Sequence, residues 1–207
     1  MQTVHTFGDS HASREFGGWD HVEIPGHEVE THWIGARLMH SFARDGLSML
    51  NILDYRVLPG DTVVFSFGEI DVRRHLANHS TTQESIDQMV SDYLGVVAQN
   101  TVQIPRLRVV IYCVLPPSRT QPGDVRAGTD EQRLKYTRAV NASLRWQTAV
   151  LGWGFLDVTP DYSDQQGFMN LQHSDDSIHI KNGGPLSKRL NFLMARLTSP
   201  HAATGAP

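Results

Sequence analysis

Apolar positions in this chain alternate between short continuous runs and stretches spaced for one face of a helix. Thr3 to Phe7 reads as a short strand ending at a Gly-Asp-Ser turn, and Val22-Glu23-Ile24 as a candidate second strand. Trp33 to Leu53 places Ile34, Leu38, Phe42, Leu47 and Leu50 near helical spacing, with Gly46 as a possible break. Pro59-Gly60-Asp61 forms a turn before the β-branched and aromatic run Thr62 to Phe67. Thr82 to Val102 predicts a helix with Ile86, Met89, Val90, Tyr93, Leu94 and Val97 on one face. Arg108 to Leu115 predicts a buried strand stopped by Pro116-Pro117. Asp130 to Val150 reads as a helix capped by Thr129 or Asp130, and Phe155 to Val158 as a last strand. Gly183 or Pro185 opens a C-terminal helix through Leu197.

Strand–helix alternation of this kind predicts an α/β protein with a parallel sheet covered by helices on both faces. Ligands in such sheets bind beyond the carboxyl ends of the strands, at a switch point in strand order. That rule brings Ser10, Asp71 and the loop after Leu115 to one edge. At 207 residues the chain suits one domain, expected over 1–198. The Ala-, Pro-, Gly- and Thr-rich tail 199–207 is expected to be disordered.

Charge narrows the partners. The net charge of −4 comes from 22 acidic and 18 basic residues, and the basic ones are scattered, which gives no nucleic-acid footprint. Met1 to His5 lacks the basic and apolar regions of a secretory signal, and no apolar stretch approaches the roughly 20 residues of a membrane span. A cytoplasmic protein with no membrane partner is the default expectation. The single cysteine, Cys113, sits in an apolar run and is expected to be a buried strand residue.

The chemistry concentrates at the two ends. Ser10 directly follows the first predicted strand, and Asp176-Ser177-Ile178-His179 stands far away in sequence. A serine hydroxyl becomes a useful nucleophile when an imidazole takes its proton and a carboxylate fixes that imidazole's tautomer. Ser10, Asp176 and His179 supply those groups in the order Ser…Asp…His. Asp175 would replace Asp176 if the local turn differed by one residue. The plain alternative for Ser10 is an N-cap of the following helix.

These residues resemble the SGNH, or GDSL-type, hydrolases. Gly8-Asp9-Ser10 looks like the family's nucleophile motif and Asp176-x-x-His179 like its last motif. Gly68-Glu69-Ile70-Asp71 looks like its middle Gly-x-Asn-Asp, and Gly35 like its lone glycine, so the likeness runs from 7 to 179. The resemblance implies a three-layer α/β/α sandwich around a mainly parallel, five-stranded sheet of flavodoxin-like type. It implies Ser10, Asp176 and His179 as catalytic residues and the N–H groups of Ser10 and Gly35 as an oxyanion hole. The departure is Ile70, where the family's asparagine donor would stand; Arg73 or Arg74 is the candidate substitute.

The implied reaction is cleavage of a small acyl ester, with an O-acetylated carbohydrate among the family's substrate classes. The alternatives are acyl transfer to a sugar or alcohol, and a non-catalytic carbohydrate-binding module, which Ile70 favours. Asp9, His11, Glu69 and Asp71 are candidate substrate-binding residues. Glu69 and Asp71 also invite a paired-carboxylate reading, or a bracing one in which Asp71 holds the loop and Glu69 pairs with Arg73 or Arg37. His75 and His79 would share a zinc ion only if helical, and no third ligand stands at the expected spacing, so neither metal nor cofactor is expected. Trp19, Trp33, Trp146 and Trp153 are candidates for stacking on a sugar, at least two of them belonging to the core.

Overall fold

Gln2–Gly8 forms β1, and everything around the candidate site is arranged from it. In this computed structural model, which describes residues 1–121, 123–175 and 178–198, β1 pairs on one side with β2 (His27–Trp33) and on the other with β3 (Thr62–Ser66). β4 (Arg108–Tyr112) and β5 (Gly154–Leu156) complete a five-stranded, wholly parallel sheet of order β2-β1-β3-β4-β5. Consecutive connections run outward in opposite directions from β1, so the switch point lies between β1 and β3.

Helices cover both faces. α1 (Arg14–Gly17) is a single turn after β1, and α2 (Met39–Asp45) and α3 (Glu69–Arg74) follow β2 and β3. The long helices are α4 (Gln83–Thr101) and α5 (Asp130–Val150), and α6 (Thr159–Tyr162) and α7 (Gly184–Thr198) close the chain. Alternate residues of a strand face opposite ways, and the core divides accordingly. Phe7, Val63, Phe65, Val109 and Ile111 pack against α2, α4 and α5. Val4, Val64, Val110 and Leu156 pack against Trp19, Tyr162 and the α7 residues Leu186, Leu190 and Met194. This is the three-layer sandwich that the sequence implies.

Local signals act as expected at the long helices. Thr82 and Thr129 each accept a backbone N–H three residues on, while Ser85 and Gln132 reach back to the cap N–H. Cys113 lies just past β4 and is buried, which pushes its thiol up to about 12, Asp157 adding to the effect of burial.

Two expectations are corrected. Val22 and Ile24 are buried in the second core cluster but form no strand; the second strand is His27–Trp33. The helix expected over Trp33 to Leu53 shrinks to Met39–Asp45, because Trp33 ends β2 and Gly35 (φ 97°) and Gly46 (φ 57°) take left-handed backbone. The possible break at Gly46 is where α2 stops. His75 and His79 share no helix either: α3 ends at Arg74 and a 3-10 turn, Leu76–Asn78, separates them. The expected disordered tail, 199–207, lies outside the described residues. Among the described residues no helix is long and apolar enough to cross a membrane.

Candidate active site

A tight, heavily clamped turn presents Ser10. β1 ends at Gly8, where a Cβ would stand 1.9 Å from the Ser66 carbonyl oxygen, so glycine alone fits there. Asp9 caps the 3-10 turn Ser10–Ala12 by accepting the His11 N–H at 2.9 Å. The turn is tied down from three sides. Thr6 Oγ1 donates to the Ala12 carbonyl, Trp19 Nε1 to the His11 carbonyl and Ser13 Oγ to the Ser10 carbonyl. Ser10 keeps a half-buried hydroxyl at the sheet's carboxyl edge.

The chain's far end meets it there. His179 Nε2 lies 3.0 Å from Ser10 Oγ, and Nδ1 lies 3.1 Å from Asp175 Oδ2. Asp175 Oδ1 also accepts the His179 N–H at 3.2 Å, and the Asp175 N–H donates to the His179 carbonyl. Flanking this pair, an antiparallel bridge joins Ser174 to Ile180. The segment is docked on α1 through Ile180 N–H to the Phe16 carbonyl, with the His179 ring 5.0 Å from the Phe16 ring. Among the described residues the carboxylate on the imidazole is that of Asp175; Asp176, the residue expected there, lies outside the described residues. The adjacent acid was the only sequence signal for Asp175.

Gly35 is placed by the pairing of β1 with β2. The β1–β2 register sets Gly8 opposite Trp33, and the Ile34 N–H donates to the Gly8 carbonyl. Two residues past β2, Gly35 is thus beside the Asp9–Ser10 turn, and its φ of 97° strongly favours glycine.

The other candidate residues divide between structural and lining positions. Asp9 is 1% exposed and faces the turn rather than a cleft. Burial holds its carboxyl well above the usual carboxylate range; the His11 N–H opposes this, Glu69 and Asp71 add to it, and Arg73 opposes it. A folded pKa raised above the unfolded value favours the fold at low pH, and that contribution is lost as pH rises through the folded pKa. Asp9→Asn keeps an acceptor for His11 without the charge. It should melt higher than the wild type at about pH 8, the gap closing in acid; a lower melting temperature throughout would reject this.

Asp71, buried, accepts the N–H groups of Met39 (2.7 Å) and His40 (3.2 Å), the first two residues of α2. These contacts are those of the bracing alternative. Asp71→Ala should cost about 1–3 kcal/mol in denaturant unfolding, by orphaning two N–H groups, with no change in substrate KM. Glu69 pairs bidentately with Arg73 in α3, at 2.6 and 3.1 Å. Arg73 Nε and Nη2 thus donate to Glu69, and Arg74 is exposed. Ile70, half-buried in the first turn of α3, offers no side-chain donor.

His11 is 3% exposed, its ring 5.3 Å from that of His179. Burial lowers its pKa to about 3, with His179 and then Arg73 adding, so His11 is a neutral neighbour of the site. A nearly filled crevice of about 10 Å³ is walled by Val72, Arg73, Val114, Leu115 and Ile178, with the buried guanidinium of Arg133. On the other side Phe16 meets Trp33 edge-on at 6.5 Å, and Trp33 is 57% exposed. Trp146 is exposed on α5, whereas Trp19 is core. Nothing in the sequence singled out Phe16.

Solved structures share this architecture. A GDSL-like lipase from Bacteroides thetaiotaomicron superposes with a TM-score of 0.60 at 15% identity, over 94% of this chain and 86% of that one. Phospholipase A1 from Streptomyces albidoflavus gives 0.51 at 12% identity, over 93% and 99%. An α/β hydrolase, LAE5, from the metagenome of Lake Arreo gives 0.55 at 13% identity, over 94% of each chain. No family model matches the sequence, and no curated relative does. The fold is that of the GDSL-type, or SGNH, hydrolases. At its switch point it carries a serine, a histidine and an aspartate in hydrogen-bonded sequence.

Proposed function

We propose that this protein is a serine-dependent acyl hydrolase. The observation that carries the reading is the relay Ser10 Oγ–His179 Nε2, His179 Nδ1–Asp175 Oδ2, at 3.0 and 3.1 Å. Ser10 Oγ adds to the ester carbonyl carbon as His179 Nε2 takes its proton. The carbonyl π electrons move to oxygen, which faces the N–H groups of Ser10 and Gly35. Collapse expels the alkoxide, and His179 returns the proton to it. Water, deprotonated by the same nitrogen, then adds to the acyl-Ser10 ester; collapse releases the acid and restores the hydroxyl. Asp175 keeps the Nδ1 proton in place and stabilises the imidazolium at each transfer.

The substrate we infer is a small acyl ester on a carbohydrate. The exposed Trp33, in edge contact with Phe16, whose ring lies beside His179, offers a ring face on which a sugar can stack. Labelling by a fluorophosphonate tests the nucleophile: wild type should label and Ser10→Ala should not, and equal labelling would reject it. Trp33→Ala tests the alcohol part. It should raise KM for an acetylated oligosaccharide by about tenfold, a loss of roughly 1.4 kcal/mol, and leave p-nitrophenyl acetate hydrolysis unchanged. Equal effects on both esters would remove the sugar from the reading.

A further inference from the structure

On the β2 flank of the sheet, away from Ser10, three side chains from two strands bring donor atoms to one spot. The β1–β2 register sets His5 opposite Glu30 and Phe7 opposite His32. In-register residues of parallel neighbours share a face, so His5, Glu30 and His32 emerge together. His5 Nδ1 lies 3.1 Å from His32 Nε2 and 3.5 Å from Glu30 Oε2, and His32 Nε2 lies 3.9 Å from that oxygen. Ligand atoms about 2.0–2.1 Å from a tetrahedral ion stand about 3.3–3.4 Å from one another. The triangle on the protein needs shifts of about half an ångström or less to become one face of that tetrahedron.

We propose that His5, Glu30 and His32 form a zinc-binding site, with solvent in the fourth position. Two imidazoles and one carboxylate are a zinc donor set, and an open fourth position is a known variant of it. The surroundings fit. The Glu30 side chain is 51% exposed, which gives an ion its way in, while His5 is 3% and His32 16% exposed. Behind His5, Asp61 Oδ2 lies 3.4 Å from Nε2. Asp61 is itself fixed by the N–H groups of Thr3 (2.9 Å) and Leu58 (2.8 Å). Among the described residues Nε2 makes no hydrogen bond, and a carboxylate at that distance is placed to accept its proton when Nδ1 turns to an ion, the outer-shell arrangement of many histidine-bound metals. The His32 ring is held between Phe7 (4.6 Å) and Tyr55 (4.8 Å), so its orientation is set by packing. The bound ion would rivet the edge strand β2 to β1, three residues before Gly35.

The test is metal binding by the full chain after chelator treatment. Zn²⁺ titrated against a chromogenic chelator should bind at one equivalent and raise the melting temperature. Co²⁺ in its place should give the intense visible absorption of a tetrahedral centre. Glu30→Gln should weaken Zn²⁺ binding more than about tenfold and His32→Ala more than about a hundredfold, each folded by circular dichroism. His75→Ala with His79→Ala should change nothing. A weak octahedral Co²⁺ spectrum in the wild type, or equal affinity in wild type and both site variants, would overturn the proposal and leave His5 and His32 an ordinary hydrogen-bonded pair. The wild-type spectrum decides even if a variant misfolds, and fluorophosphonate labelling of Ser10 is read separately.

Discussion

Alanine at Ser10 should cut p-nitrophenyl acetate turnover by about 10⁴–10⁶-fold, the scale of losing a nucleophile from a cooperating set. His179→Ala should cost about as much. The double variant should be no slower than either single one, because attack and proton transfer are one event at one 3.0 Å contact. On the proposed mechanism, what activity persists should come from binding and from the N–H groups of Ser10 and Gly35. Melting temperature is the control for Ser10→Ala, since the turn is held by Asp9, Thr6, Ser13 and Trp19 rather than by the Ser10 hydroxyl. Turnover at wild-type rate in Ser10→Ala would end the acyl-enzyme reading.

The second large effect should come from Asp175→Asn, a fall in kcat of about 10³–10⁴-fold. The amide can present its oxygen to Nδ1 but cannot stabilise the imidazolium that forms when Ser10 attacks. With its side chain 40% exposed, Asp175 shares that task with solvent, which places its effect below that of Ser10. Asp176→Asn, measured beside it, tells which acid acts. A large loss at Asp176 with little at Asp175 would return the role to the residue that the Asp-x-x-His spacing suggests.

The residues that were legible in the sequence are those whose own chemistry decides their structure. Buried runs such as Val63-Val64-Phe65 and Val109-Val110-Ile111 can be little but central strands, and Thr82 with Ser85 and Thr129 with Gln132 announce the long helices. β2 was hidden because an edge strand borrows its stability. His27–Trp33 has one aliphatic residue, Val29, and is held by hydrogen bonds to β1 rather than by its own apolarity. Missing β2 also hid the His5, Glu30 and His32 cluster, which exists only through register. At the site, Ser10 and His179 could be read from motif and order, whereas the choice between Asp175 and Asp176 depends on a turn of single-residue precision. Ile70 was visible as a departure, but the pairing of Arg73 with Glu69 needed the first turn of α3 in place.

Ser10 and His179 are 169 residues apart, and their local segments are joined where Ile180 N–H meets the Phe16 carbonyl and the His179 ring lies against Phe16 and His11. Reactivity of this serine is therefore a gauge of whether the two ends of the polypeptide have come together. A nascent chain still lacking its final helix-forming stretch would have a finished β1 and an inert hydroxyl. Likewise, on gentle heating or in low denaturant, covalent labelling should fade before the sheet's circular dichroism does, as the ends part ahead of the middle.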